Sequence, residues 1–234
     1  MSRQSRQRQR ARLLAQRRRR KIWLAVAVAV VVVATSLGGY AIYRTQQPDP
    51  VLVVPTSASE DRAGVVLGTG PVTVELYSDF LCPACQAFER DARDDIDKLL
   101  AENRIRLVYR PVAILDRLST NEYSTRSAAG AGCAADAGKL IDYAKALFDH
   151  QPAEGGPGHE DATLIRLATE AGITEPGFGQ CVRDGRYLPW VDHVTDTMSA
   201  NNVNGTPTVL VAGKQLQRPN GERLVSAVDA ATTK

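Results

Sequence analysis

Cys82 and Cys85 are separated by Pro83-Ala84, and the pair stands at a change of pattern. Before it runs Val72-Thr73-Val74-Glu75-Leu76-Tyr77, alternating and β-rich; after it begins a segment of helical period. Two thiols one turn apart at a strand-to-helix junction suit thiol–disulfide exchange. A helix N-terminus offers unpaired N–H groups and partial positive charge to a thiolate. Pro83 fits the first helical turn, where its missing N–H costs nothing and its fixed φ is already helical. Cys82, the more exposed of the two positions, is the expected nucleophile and Cys85, one turn in, the more buried partner. An electropositive location of this kind brings a thiol from near 8.5 into the range of roughly 3.5–7.5.

The elements that must position this pair can be read in order. A short strand is expected at Val65-Val66-Leu67 and a second at Val72–Ser78. A helix is expected from about Pro83 to Glu102, with Ala84, Phe88, Ala92, Ile96 and Leu99 or Leu100 three to four apart, ending at Asn103. Ile105–Arg110 reads as a third strand, stopped by Pro111. Residues 114–202 are helical in pattern, clearest at Ala128–Leu147 and Asp161–Ala171, and broken by the Gly/Pro-rich loop Gln151–Gly158. Strand character returns at Thr208–Val211 and Lys214–Leu216 about the turn Ala212-Gly213, and a last helix covers about Glu222–Ala231. The order places a β-α-β unit and a hairpin in one mixed sheet, an α/β architecture.

Charge is unevenly spread. The whole chain of 234 residues carries +3, but residues 1–21 hold ten Lys/Arg and no acid, so residues 22–234 carry −7. Ile22–Tyr43 contains no charge over 22 residues, roughly 33 Å of helix at 1.5 Å per residue, enough to cross a hydrocarbon core. Trp23, Tyr40 and Tyr43 fall near its ends, where such rings prefer the interface. The basic flank predicts a cytoplasmic N-terminus and a domain outside. The expected organisation is a basic cytoplasmic tail over 1–21, a transmembrane anchor over 22–43, a Pro-containing spacer over 44–61 and an extracytoplasmic domain over 62–234. A cleaved signal peptide ending near Ala34-Thr35-Ser36 is the rival reading. The arginine run reads as topogenic rather than nucleic-acid-binding. All four cysteines follow residue 81, which suits an oxidising compartment.

Ser78-Asp79-Phe80-Leu81-Cys82-Pro83-Ala84-Cys85 resembles the SDFxCPxC segment of DsbA-like thioredoxin-fold proteins, and Val203-Asn204-Gly205-Thr206-Pro207-Thr208-Val209 resembles their cis-proline loop. The resemblance covers about 63–231. It implies a thioredoxin fold with an inserted helical subdomain at about 114–202, here preceded by one transmembrane helix. It implies a thiol:disulfide oxidoreductase that puts disulfides into exported proteins by way of a mixed disulfide at Cys82. Its only redox group is the Cys82–Cys85 disulfide, with no cofactor or metal. Pro207, cis by this resemblance, would face Cys82 and expose the Thr206 backbone to an extended substrate. Exported protein thiols are the implied substrates and a quinone-linked membrane protein of the DsbB or VKOR type the implied reoxidant. A reductase or isomerase of the same fold, or a non-catalytic binding module, are the competing functions.

Membrane-anchored members found in actinobacteria carry a second cysteine pair, which Cys133 and Cys181 match. That match gives a structural disulfide closing about 48 residues; a four-cysteine zinc site and a redox relay between the pairs are the rivals. Two departures from the family pattern stand out. The position six before the first cysteine, acidic in many relatives, is Leu76; the nearby acids are Glu75 and Asp79, both candidates for proton transfer. Strand alternation points Glu75 away from Leu76's side, and Asp79 could equally cap the turn. The dipeptide Pro-Ala lacks the histidine of CPHC proteins, which implies a milder oxidant. His150, His159 and His193 fall in the helical block and read as surface or packing residues.

Overall fold

The computed structural model describes residues 30–36, 38–40 and 52–232. The chain divides into two units, residues 1–51 and 52–234. In the first unit residues 30–36 and 38–40 are helical, with Val30, Val31, Val32, Val33 and Tyr40 exposed. Thr35 turns its hydroxyl back onto the carbonyls of Val31 and Val32, at 2.9 and 3.0 Å. The basic tail, most of the expected span and residues 44–51 of the spacer lie outside the described residues. Among the described residues no helix is long and apolar enough to cross a membrane.

The second unit is built on five strands, β1 (Val65–Leu67), β2 (Val72–Ser78), β3 (Ile105–Pro111), β4 (Thr208–Val211) and β5 (Lys214–Gln215), in the order β1-β3-β2-β4-β5. β2 and β3 are parallel and joined by α1 (Pro83–Ala101); the other pairings are antiparallel. Along α1 the buried residues are Cys85, Phe88, Ala92, Ile96 and Leu99, one stripe at helical spacing. The helix ends at Ala101, and Asn103 follows with φ 51. Pro111 does not stop β3: it is its last residue, in register with Ser78. It costs the ladder nothing there, because a strand end tolerates a missing donor. A two-residue turn, Ala212-Gly213 with φ 47 and 75, closes the β4–β5 hairpin as left-handed hairpin turns do.

Between β3 and β4 lies the helical insertion: α2 (Tyr123–Asp136), α3 (Leu140–Asp149), α4 (Asp161–Glu170), α5 (Phe178–Arg183) and α6 (Leu188–Ala200). The last helix, α7 (Gly221–Thr232), packs on α1. α2 is the buried axis of the insertion, and its small residues set how close its neighbours come. A Cβ on Gly130 would fall 2.8 Å from the Tyr143 hydroxyl, and one on Gly132 2.7 Å from the Tyr187 ring.

The structure corrects two further expectations. The single helix expected over Ala128–Leu147 is two, broken at Ala137-Gly138-Lys139, where Gly138 takes φ 67, a conformation glycine adopts without strain. Residues 52–61, expected as spacer, pack onto the domain. Leu52, Val53 and Val54 lie against the core, Thr56 donates from N and Oγ1 to Asp136 at 3.0 and 3.1 Å, and Ala58 bridges to Val65.

Candidate functional site: a dithiol facing a cis-proline loop

β4 runs antiparallel to β2 with Tyr77 opposite Thr208. The residues just before Thr208 therefore lie beyond the C-terminal end of β2, where the chain turns into α1. At that place Thr206–Pro207 is a cis peptide, and the Cys82 sulfur is 3.6 Å from the Thr206 carbonyl oxygen. Thr208 steadies the loop by donating from Oγ1 to the Gly205 carbonyl at 2.7 Å.

Cys82 is the N-cap residue of α1 and Pro83 follows at the first helical position. The two cysteines are free thiols, Cys85 at 1% exposure and Cys82 at 7%. Their titrations are driven apart. The Cys85 thiol donates to Cys82 and is the largest influence on it. The Thr206 hydroxyl and the N–H groups of Cys85 and Ala84 add to that, against burial, and bring Cys82 down to about 6. Burial, the hydrogen bond to Cys82 and the charge there push Cys85 well above the ordinary thiol range. The pair thus holds one proton between two sulfurs, with the negative charge on Cys82. This is an attacking thiolate with a protonated partner beneath it.

Asp79 is fully buried and accepts four hydrogen bonds. Leu81 N (2.9 Å) and Ser124 Oγ (2.7 Å) reach Oδ1; Ile114 N (2.9 Å) and Leu115 N (3.0 Å) reach Oδ2. Its own carbonyl takes the Cys82 N–H at 3.0 Å. Asp79 is therefore a turn cap and also a knot between the dithiol loop, the end of β3 and α2. Burial pushes its carboxyl up to about 6, against those donors.

Glu75 is not brought to the dithiol. It pairs with Arg110 at 2.8 Å, and Arg110, nearly buried, also reaches Asp61 at 2.8 Å and the Ala63 carbonyl. Leu76, on the opposite face of β2, lines a small apolar cavity under α1 with Phe88, Leu107 and Tyr109. The histidines are elsewhere: His150 lies 3.3 Å from Glu170, His159 meets the His150 carbonyl, and His193 meets the Asp61 carbonyl. Cys133 and Cys181 form a disulfide joining α2 to α5, with Cα atoms 6.1 Å apart, so the four cysteines are two separate pairs.

Two glutamines at the site carry no signal in the sequence. Gln151, just past α3, donates from Nε2 to the Phe80 carbonyl (2.9 Å) and the Cys82 carbonyl (3.0 Å). Gln86, next to Cys85, donates from Nε2 to the Phe148 carbonyl at 2.6 Å. A glutamine in a Gly/Pro-rich loop looks like any surface amide until the loop is folded.

A dithiol at the N-terminus of a sheet-packed helix, facing a cis-proline loop, defines a thioredoxin-fold exchange protein. A family model described as thioredoxin matches residues 63–230, most of the chain, and the chain belongs to that family. Among solved structures it is similar to oxidised DsbA of Mycobacterium tuberculosis (35% identity, 76% of this chain and 91% of that one, TM-score 0.63). It is also similar to the reduced disulfide bond oxidoreductase DsbG of the same organism (35% identity, 76% and 86% covered, TM-score 0.64). It is a DsbA-like thiol:disulfide oxidoreductase. Among curated proteins it is 32% identical over 159 residues to the serine/threonine-protein kinase PknE of M. tuberculosis, matching 62% of this chain and 28% of the kinase. The chain thus spans well under a third of that relative's length.

Proposed function

We propose that this chain is an extracytoplasmic oxidase that introduces disulfides into exported proteins through Cys82 and Cys85. The observation that carries this is the placement of Cys82 at the N-terminus of α1, 3.6 Å from the Thr206 carbonyl of the cis-proline loop; that environment lowers the Cys82 thiol to about 6 and raises Cys85. A stabilised Cys82 thiolate favours the reduced chain, which makes its disulfide the stronger oxidant.

In the forward direction a substrate thiolate attacks Cys82 of the Cys82–Cys85 disulfide. The S–S electron pair passes to Cys85, which takes up a proton. A second substrate thiolate then attacks the substrate sulfur of the mixed disulfide, and Cys82 leaves as a thiolate. The substrate loses two electrons and gains a disulfide; the chain is left reduced. The Thr206 carbonyl and Pro207 border the sulfur under attack, and backbone pairing there would hold an extended substrate without demanding a sequence. A quinone-linked membrane protein of the DsbB or VKOR type would take the two electrons back.

Residues 22–43 anchor the chain in this reading, with 1–21 cytoplasmic and the domain outside. The uncharged run, its basic flank, the exposed valines 30–33 and the internally bonded Thr35 hydroxyl support it. Electron flow in the other direction, as a reductase or isomerase, is the second reading. The 35% identity to a protein named a disulfide bond oxidoreductase, a name that fixes no direction, leaves it in view. The reduction potential of Cys82–Cys85 separates them: a value toward the roughly −120 mV of strong oxidants supports the oxidase, and one near −270 mV overturns it.

A further inference from the structure

We propose that Gln151 is a positioning residue for thiol exchange, its side-chain amide holding the Phe80 and Cys82 carbonyls so that the Cys82 sulfur stays at the helix N-terminus beside Thr206. The inference rests on the exchange chemistry above but assigns a new residue to it, from the insertion rather than from the thioredoxin core.

The geometry is specific. One nitrogen, Nε2, reaches both carbonyls at 2.9 and 3.0 Å, which uses both N–H bonds of a primary amide. The Cys82 carbonyl already receives the first helical bond, from Gln86 N at 3.1 Å. Gln151 thus adds a second donor to the peptide that carries the reacting cysteine. Its own backbone is fixed, since Gln151 N donates to the Phe148 carbonyl at 3.3 Å, the same oxygen that receives Gln86 Nε2 at 2.6 Å. Phe148 packs on Phe80 at 5.1 Å between ring centroids. The end of α3 and the first turn of α1 therefore hold each other from both sides.

Two consequences follow for the sulfur. Gln151's N–H donors face the carbonyl of the reacting cysteine's own peptide, and offsetting that carbonyl's partial negative charge favours the charged sulfur. The same amide fixes the turn that sets the 3.6 Å approach of Cys82 to the Thr206 carbonyl oxygen. A carboxylate could do neither, having no donor at neutral pH.

The test uses the full chain and its Gln151→Met and Gln151→Lys variants. Met keeps the length and removes the donors; Lys keeps a donor. Titration of reduced Cys82, followed by thiolate absorbance and by alkylation rate, is the readout. Removing a hydrogen-bonding amide near the charge should slow alkylation of the Met variant about three- to tenfold near pH 6. At about pH 9, where the thiol is ionised in both, the rates should agree within about twofold. The Lys variant should match or exceed the unmodified chain. Cys85 is the titratable group acting directly on Cys82. His150 precedes Gln151 and faces Glu170, so the series is repeated with His150→Gln. A folded Met variant with an unchanged Cys82 titration overturns the proposal; so does a Lys variant that titrates as high as Met, whatever the Met variant's stability. Because thiolate titration needs no substrate, a chain that titrates as expected but oxidises nothing would remove the oxidase reading and leave this one standing.

Discussion

The sulfur of Cys82 and the carbonyl oxygen of Thr206 stand 3.6 Å apart, across 124 residues of sequence. The contact joins the opening of α1 to the loop before β4, the two local motifs of the chain. It is also chemically two-sided. A thiol at Cys82 can donate to that oxygen, whereas a thiolate is repelled by it, so formation of the thiolate needs compensation from elsewhere. The Thr206 hydroxyl supplies part of it, as a donor that lowers Cys82. One residue thus offers an acceptor to the protonated sulfur and a donor to the charged one.

Thr206→Val isolates that hydroxyl, since valine keeps the shape and leaves the backbone carbonyl in place. Losing one hydrogen bond to a charged sulfur should raise the Cys82 titration by about one pH unit. Alkylation of reduced Cys82 as a function of pH reads the change. A midpoint that stays near 6 would show that the hydroxyl has no hold on the thiolate.

Cys85→Ala should have the larger effect, because the Cys85 thiol is the foremost influence lowering Cys82. Without that donor the Cys82 midpoint should move from about 6 toward the ordinary thiol value of roughly 8.5. Offered a substrate that already carries a disulfide, the Cys82 thiolate of this variant attacks one of its sulfurs and displaces the other as a thiolate; without Cys85 to attack in turn, the mixed disulfide at Cys82 should accumulate. Trapping is then best above about pH 8, where the remaining thiol is ionised. A variant that keeps the acidic midpoint would place the stabilisation in the helix N-terminus and Thr206 alone.

Asp79 gives a stability prediction with a definite sign. Burial raises its folded-state value from 3.8 to about 6, so the folded chain binds this proton more tightly than the unfolded one. The resulting stabilisation is complete below about pH 4 and is lost as pH rises through about 6. Asp79→Asn cannot titrate, so the stability of the unmodified chain relative to the variant should fall across that window, by on the order of 2–3 kcal/mol. The variant also turns an amide N–H toward donors that need acceptors, at a cost of about 1–3 kcal/mol at any pH. Denaturant unfolding from about pH 4 to 7 measures both; parallel curves for the two proteins would contradict the shift.

How much of this was legible in the sequence follows from the range over which each feature is determined. α1 could be read because Phe88, Ala92, Ile96 and Leu99 repeat at its period, and the Cys82–Cys85 and Thr206-Pro207 segments because each is a local string. Period-two alternation likewise set Glu75 apart from Leu76, though not its partner Arg110, 35 residues away. Asp79 was half legible: its bond to Leu81 is a local turn, while Ile114, Leu115 and Ser124 come from 35 to 45 residues on. The break at Gly138 was hidden by the small, helix-compatible residues on either side. Docking of residues 52–61 was hidden because their partners, Asp136 and Arg110, are single residues far along the chain.

The second cysteine pair separates a structural role from a redox one. Cys133 lies in α2, the buried axis of the insertion, and Cys181 in α5, a helix of six residues whose buried contact is Phe178 against Tyr143. A helix that short has little of its own to hold it, so the disulfide and its packing on α2 and α4 hold it in place. Closing a loop of 48 residues is worth about 4 kcal/mol in the chain-entropy model. Cys133→Ser/Cys181→Ser should therefore lower stability by roughly that amount. Hydrogen exchange should quicken over Phe178–Arg183 more than over α1, which keeps its own packing on the sheet and α7. Thiol exchange at Cys82 should stay within about twofold, since the pair forms no part of the dithiol's hydrogen-bond set. Lost exchange in a variant whose α1 remains protected would instead assign electron transfer to Cys133–Cys181.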